Sequence, residues 1–266
     1  MSSRRLVIVL RTFTRSHSTS TTKITSSSFS SSVDVAEVSK FRLLADRWWN
    51  ENGEFQALHS LNQLRVPFIR EQLLQQHPPF NLHLSHATEK TIQTPTLAMS
   101  TSKNFLEPLK GFKLLDIGCG GGLLAEPLAR LGASILGIDA CLESIETAKL
   151  HADLSLTGRL NYKHVTLEQL CEDQSEHEKY DAIIASEVFE HINDIDKFVE
   201  NTNKLLKSGG LCFVTTINRT VTSYVVAILG AEYLFRAVPQ GTHDWNRLIK
   251  PVDLTMIFEK MKTGTA

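Results

Sequence analysis

The chain has 266 residues, 42% of them hydrophobic, and a formal net charge of −1. That length suits one α/β domain with extra segments, and the near-zero charge argues against a polyanion partner, so no nucleic acid is expected. The four cysteines, Cys119, Cys141, Cys171 and Cys212, are scattered with no C-x-x-C pair. This spacing argues against zinc and disulfides and for small buried thiols in a reducing compartment.

Residues 1–33 carry Arg4, Arg5, Arg11, Arg15 and Lys23 and no acid, and Ser and Thr dominate from 12 to 32. Arg-rich, Ser-rich and acid-poor composition predicts a disordered mitochondrial transit peptide. The apolar run 6–10 is too short to span a membrane and is expected on an amphipathic presequence. Residues 34–76 are predicted as a helical cap. In 35–52, Phe41, Leu44, Trp48 and Trp49 make one apolar face, and Gly53 interrupts it. A second helix is predicted over 66–76, with Pro67 in its first turn and Arg65 just ahead of it. Residues 77–107 contain Pro78, Pro79 and Pro95 with weak periodicity, and read as a loop or insertion.

Residues 108–266 read as the main domain. Strands are predicted over 113–117, 134–139, 162–166, 180–185 and 211–217. Helices are predicted over 122–131, 142–153 and 195–206. Strands alternating with helices predict an α/β fold, a doubly wound, Rossmann-like parallel sheet. Residues 219–250 read as a lid. Its segment 221–238 is strongly apolar but broken by Gly230 and charged at Glu232 and Arg236. It is marginal for spanning, and it reads equally as a membrane-surface segment, a cover for an apolar ligand or a buried lid helix. A short helix is predicted over 251–260.

Chemistry concentrates at Asp116-Ile117-Gly118-Cys119-Gly120-Gly121-Gly122. Glycine allows positive φ and lets a flat ligand lie against the backbone. Asp139 ends the second strand, 21 residues beyond Gly118, where a carboxylate can hold vicinal ribose hydroxyls. A dinucleotide fingerprint wants glycine where Leu123 stands. Asp116 would also repel a pyrophosphate, yet it suits a cationic sulfonium amino acid. The charge argument therefore favours S-adenosylmethionine over NAD. After the fourth strand, Glu187, Glu190 and His191 stand at helical i, i+3, i+4 spacing. Carboxylate-rich sites suit Mg²⁺ or Mn²⁺, although helix-start acids give the same pattern. A divalent ion beside a methyl donor suits a catechol, whose bound hydroxyl it would acidify. His243 and Asp244 are candidates for a general base, and a polar lid turn explains them equally well.

The blocks Leu115–Ala133 and Gly137-Ile138-Asp139-Ala140 closely resemble the ubiquinone-biosynthesis O-methyltransferases. So do Trp48-Trp49, Gly53-Glu54-Phe55, Leu58-His59, Asn62-Gln63-Leu64-Arg65, Ser186-Glu187-Val188-Phe189-Glu190-His191 and Gly241-Thr242-His243-Asp244-Trp245. The resemblance covers about 40–260. It implies a class I S-adenosylmethionine-dependent methyltransferase acting on polyprenyl catechols at both O-methylation steps of ubiquinone assembly. By resemblance Arg65 contacts the cofactor, Gly118 and Gly120 lie in its glycine turn, Asp139 binds its ribose and Ser186 lines its pocket. Glu187, Glu190 and His191 match the family's Mg²⁺ ligands. The resemblance also implies a peripheral place on the matrix side of the mitochondrial inner membrane, among other ubiquinone-biosynthesis proteins, with 221–238 as access for a prenyl tail. The family fold has a C-terminal strand hairpin that residues 261–266 do not resemble. The reading is therefore a truncated form whose fifth strand is a bare edge. A non-catalytic scaffold or a C-methyltransferase of the same pathway are the alternatives.

Overall fold

The computed structural model describes residues 5–11, 32–76 and 106–217, and Met256. The expected lid at 219–250, with His243 and Asp244, and the leader residues 12–31 lie outside the described residues. So does the helix expected over 251–260 apart from Met256, which is helical.

The chain begins with strand β1 (Arg5–Arg11) and helices α1 (Val35–Leu44) and α2 (Gln56–Gln76). There follow β2 (Lys113–Ile117), α3 (Ala125–Arg130), β3 (Ser134–Asp139), α4 (Leu142–His151) and β4 (Leu160–His164). Then come α5 (Leu167–Glu172), β5 (Tyr180–Ser186), α6 (Ile195–Leu205) and β6 (Leu206–Ile217). The sheet order is β1-β6-β5-β2-β3-β4. The five strands β2 to β6 pair in parallel, as expected, and β1 is antiparallel to β6.

Period-two alternation explains the layers. On β5, Ala182 and Ile184 face one core with Leu211 and Phe213 of β6; Ile183 and Ala185 face the other with Cys212 and Val214. The first core is closed by α2, α3 and α4 through Ile69, Leu73, Leu128, Ile145 and Ala148. The second is closed by α5 and α6 through Leu167, Leu170, Phe198 and Val199. Strands buried on both faces lack polar alternation, which is why the runs in β2 and β5 stand out in the sequence.

Several elements differ from the sequence reading: α1 stops at Leu44, short of the expected 52, β4 lies two residues earlier than expected, and β6 starts at Leu206 rather than 211. Helix α2 starts ten residues earlier than expected, so Pro67 lies inside it. An interior proline costs a helix about 3 kcal/mol. Here Leu61, Arg65, Ile69 and Leu73 form a buried stripe at four-residue spacing, and its packing outweighs that cost. Helix α5 was not foreseen. Its start is a capping box, in which the Thr166 hydroxyl accepts from Gln169 N–H while the Gln169 side chain accepts from Thr166 N–H. A further difference is at the edge expected to be bare. The backbone of Arg5–Arg11 pairs along β6, from Arg5 opposite Ile217 to Arg11 opposite Leu211. This stretch falls in the expected disordered leader, yet Leu6-Val7-Ile8-Val9-Leu10 has strong strand propensity, and an open edge offers it unpaired backbone groups.

Candidate functional site

The chain runs outward from β2 to β3 and β4, then returns to β5 on the other side of β2. Such a reversal opens a crevice at the carboxyl ends of the central strands, where ligands of open α/β sheets bind. Gly118 leaves β2 there with φ +65°, and a Cβ on it would lie 2.7 Å from Val188 Cγ2. The site therefore requires glycine both for backbone conformation and for space. Cys119 N–H donates to Ile138 O at 3.0 Å, tying the turn to β3. Asp139 braces it from the end of β3. Its Oδ2 accepts from Gly120 N–H at 2.9 Å and its Oδ1 from Cys141 N–H at 2.8 Å. Burial raises the Asp139 pKa, against the pull of those N–H groups.

Helix α2 delivers Arg65 into the same crevice. Its side chain is buried, 4% exposed. Nε donates to Asn62 Oδ1 and Nη1 to Ser186 Oγ, each at 2.6 Å. Ser186 Oγ also hydrogen-bonds Thr215 Oγ1 at 2.5 Å. Asn62 Nδ2 donates to Leu123 O at 2.8 Å, fixing α2 to the exit of the glycine turn. Asp116, at the end of β2, is likewise buried, 3% exposed, and feels the Arg65 charge. Its burial pushes its pKa up to about 7; the Arg65 charge lowers it and the Asp139 charge raises it further. The structure thus brings together Asp116, Arg65, Gly118, Gly120, Asp139 and Ser186.

A buried carboxylate and a buried guanidinium beside the same turn complement an amino-acid zwitterion, an ammonium at one and a carboxylate at the other. Asp139 adds a two-oxygen acceptor. The donor set therefore fits S-adenosylmethionine, and the anionic Asp116 disfavours a pyrophosphate.

The expected metal residues are arranged differently from the sequence reading. Among the described residues no group of three or more His, Cys, Asp or Glu is placed to hold a metal ion. The i, i+3, i+4 helical face does not form, because Glu187 takes φ +58° and only the 3₁₀ turn Phe189–His191 follows. Such backbone is uncommon outside glycine. Glu187 N–H donates to Thr215 O at 2.8 Å, and its Oε1 is buried with no hydrogen-bond partner. Glu190 accepts from Thr216 Oγ1 at 2.5 Å. His191 Nδ1 lies 2.8 Å from Glu37 Oε2 on α1, and its ring meets Phe41 edge-on with centroids 5.1 Å apart. The Glu190 carboxylate is thus tied to Thr216, Glu187 Oε1 is left without a partner, and the imidazole serves to hold α1.

Sequence reasoning missed Asn62, Thr215 and Glu37 as members of this network. Asn62 stands one helical turn before Arg65, which was its available signal. Thr215 and Glu37 come from distant strands and helices, and nothing local marks them.

The comparisons with known proteins agree with this geometry. A family model described as "Methyltransferase domain" matches residues 85–261. The chain is 41% identical over 229 residues to the ubiquinone biosynthesis O-methyltransferase of Pelagibacter ubique (strain HTCC1062), covering 86% of this chain and 84% of that one. The chain belongs to the ubiquinone biosynthesis O-methyltransferase family. It is 43% identical to the mitochondrial relatives of Rattus norvegicus, over 234 residues, and Homo sapiens, over 229. Those matches cover 87% and 85% of this chain and 61% and 55% of the rat and human proteins, so the chain spans little more than half of their length. Family membership makes it an S-adenosylmethionine-dependent methyltransferase.

Proposed function

We propose that the chain transfers the methyl group of S-adenosylmethionine to a hydroxyl of polyprenyl catechol intermediates, at the O-methylation steps of ubiquinone assembly. The observation that carries the cofactor half is the burial of both Arg65 and Asp116 beside the glycine turn at the sheet's switch point. The substrate half rests on the likeness to relatives named for ubiquinone biosynthesis. Arg65 holds the cofactor carboxylate and Asp116 its ammonium. The Gly118–Gly120 backbone lies along it, Asp139 takes the ribose hydroxyls and Ser186 lines the pocket. When bound, the cofactor supplies an electrophilic methyl on a cationic sulfur. The substrate oxygen forms the new O–C bond as the C–S bond breaks, and the hydroxyl proton passes to a base. His243 and Asp244 are the proposed candidates for that base. The protein's share is largely positioning, with the anionic Asp116 and Asp139 favouring a cationic ligand.

The Mg²⁺ reading is a separate part of the proposal. Glu187, Glu190 and His191 are the residues that would hold the ion, and catechol chelation is the chemistry it would supply. The unpartnered Glu187 Oε1 supports it; the engagement of His191 by Glu37 does not. The proposed location is the matrix side of the mitochondrial inner membrane, as a peripheral protein among other enzymes of the pathway. Residues 1–33 as leader, 34–76 as cap and 108–266 as catalytic domain complete it. The Arg-rich, acid-poor composition of 1–33 and the mitochondrial names of the mammalian relatives support this. Among the described residues no helix is long and apolar enough to cross a membrane.

The test is transfer of labelled methyl from S-adenosylmethionine to a short-chain polyprenyl catechol. Label is expected in an ether methyl, with the rate lost in EDTA and restored by Mg²⁺. Label on a ring carbon, or binding without transfer, contradicts the reaction. A rate indifferent to EDTA removes the metal alone.

A further inference from the structure

The bare backbone at Gly120 and Gly121 is where a flat ligand was expected to lie. In the structure a flat group of the chain itself lies there. A Cβ on Gly120 would come 2.4 Å from Trp48 Cη2, and one on Gly121 would come 2.4 Å from Trp48 Cβ and Cγ. Trp48 stands in the short segment between α1 and α2, just after the 3₁₀ turn Ala45–Arg47. It is 7% exposed and forms a small core with Phe55 and Leu123, apart from the two cores of the sheet. Its ring stacks on Phe55 at a centroid distance of 3.8 Å and an interplanar angle of 9°. Phe41 lies parallel to it at 6.2 Å.

Polar contacts fix the segment. Trp48 Nε1–H donates to Ser144 Oγ on α4 at 3.1 Å, and Trp49 Nε1–H donates to Gly121 O at 2.9 Å. His59 Nε2 lies 2.9 Å from Trp48 O, and Trp49 stacks on His151 with centroids 5.1 Å apart. The indole therefore bridges the glycine turn and α4, the two walls between which Asp139 stands.

We propose that Trp48 is a displaceable plug of the cofactor cradle, held shut by Ser144, and that S-adenosylmethionine binds by expelling it. This rests on the S-adenosylmethionine reading of the site. A ligand laid along Gly120 and Gly121 and the indole need the same space, so one excludes the other. The segment that carries Trp48 is short, and its aromatic cluster, with Phe41, Phe55 and Leu123, lies apart from the two cores of the sheet. It can swing away with Phe55 and leave the cores intact. Apparent affinity is then lowered by the fraction of closed chain, and a change that weakens closure raises it.

The test uses the full chain with 5-fluorotryptophan at its three tryptophans, the ¹⁹F signals being assigned by single Trp→Phe variants. Saturating S-adenosylmethionine is expected to move the Trp48 signal and give it the H₂O/D₂O isotope shift of an exposed indole. Ser144→Ala removes one hydrogen bond from the closed form alone and is expected to tighten S-adenosylmethionine binding about two- to tenfold. Calorimetry on the same samples separates the two readings. Heat of binding with an unmoved, shielded Trp48 signal, or with unchanged or weaker affinity in Ser144→Ala, makes Trp48 a fixed wall and overturns the plug. Absence of heat overturns the cofactor reading, and the plug with it.

Discussion

Asp116→Asn is expected to raise the melting temperature at about pH 8 by several degrees and to weaken S-adenosylmethionine binding about ten- to hundredfold. Both effects come from one buried charge. Burial lifts the Asp116 carboxyl from 3.8 to about 7 even with the Arg65 charge lowering it. Its folded-state pKa lies above the unfolded value, so its contribution to stability is fully present below about pH 4 and is lost as pH rises through about 7. A shift of about three units at about 1.4 kcal/mol each corresponds to about 4 kcal/mol at pH 8. Asparagine keeps the shape without the charge and avoids that loss, but it offers no anion to a ligand ammonium. Thermal melts at about pH 5 and pH 8 check the sign: the variant's advantage should be clearly smaller at the lower pH, because the loss accumulates between about pH 4 and pH 7. An equal shift at both would contradict the burial argument. So would undiminished cofactor affinity.

Arg65→Ala is expected to raise the Kd for S-adenosylmethionine about a hundredfold or more and to destabilise the fold by about 3 kcal/mol. The guanidinium is held by Asn62 and Ser186 and its charge acts on Asp116. Removing it leaves Asn62 Oδ1 without that donor and takes away the charge that lowers the Asp116 pKa. Binding should then fall off at higher pH than in the wild type. Arg65→Lys keeps the charge but cannot span Asn62 and Ser186 together, and is expected to fall between the two. Calorimetric titrations across pH, with melts of each variant, separate lost binding from lost folding. Affinity unchanged in folded Arg65→Ala would remove this residue from the site.

Much of this was legible locally. The apolar run at β5 and the glycine turn after β2 identify themselves, because a doubly covered strand has no polar alternation and a tight turn needs glycine. The place of Asp139 at the end of β3, against that turn, is legible from its spacing. Arg65 was legible only through resemblance, since a charged residue on a helix is ordinarily solvated, and only the fold shows it buried. Pro67 misled the boundary of α2. Proline prefers a first turn, but the four-residue stripe from Leu61 to Leu73 carries the helix through it.

Two features of the site have no signal in the sequence, for a common reason. Glu187, Glu190 and His191 were placed on a helical face, and the positive φ of Glu187 breaks that face before it begins. Backbone strain of this kind has no local sequence signal. Trp48 was read as part of a hydrophobic face along a helix, and the glycines as room for a ligand. Neither reading shows that the two meet, because a contact between residue 48 and residues 120–121 depends on how the cap folds over the domain. The edge pairing of β1 is the same kind of event: composition gives Arg5–Arg11 as disordered, and its backbone pairs along the open side of β6.

The most direct measurement is calorimetric titration of the purified 266-residue chain with S-adenosylmethionine at about pH 8, where Asp116 is ionised. One saturable site is expected, with binding weakening as pH falls below about 7 and Asp116 takes up its proton. No binding, or binding indifferent to pH across that range, would contradict a cofactor held between Asp116 and Arg65 at the glycine turn.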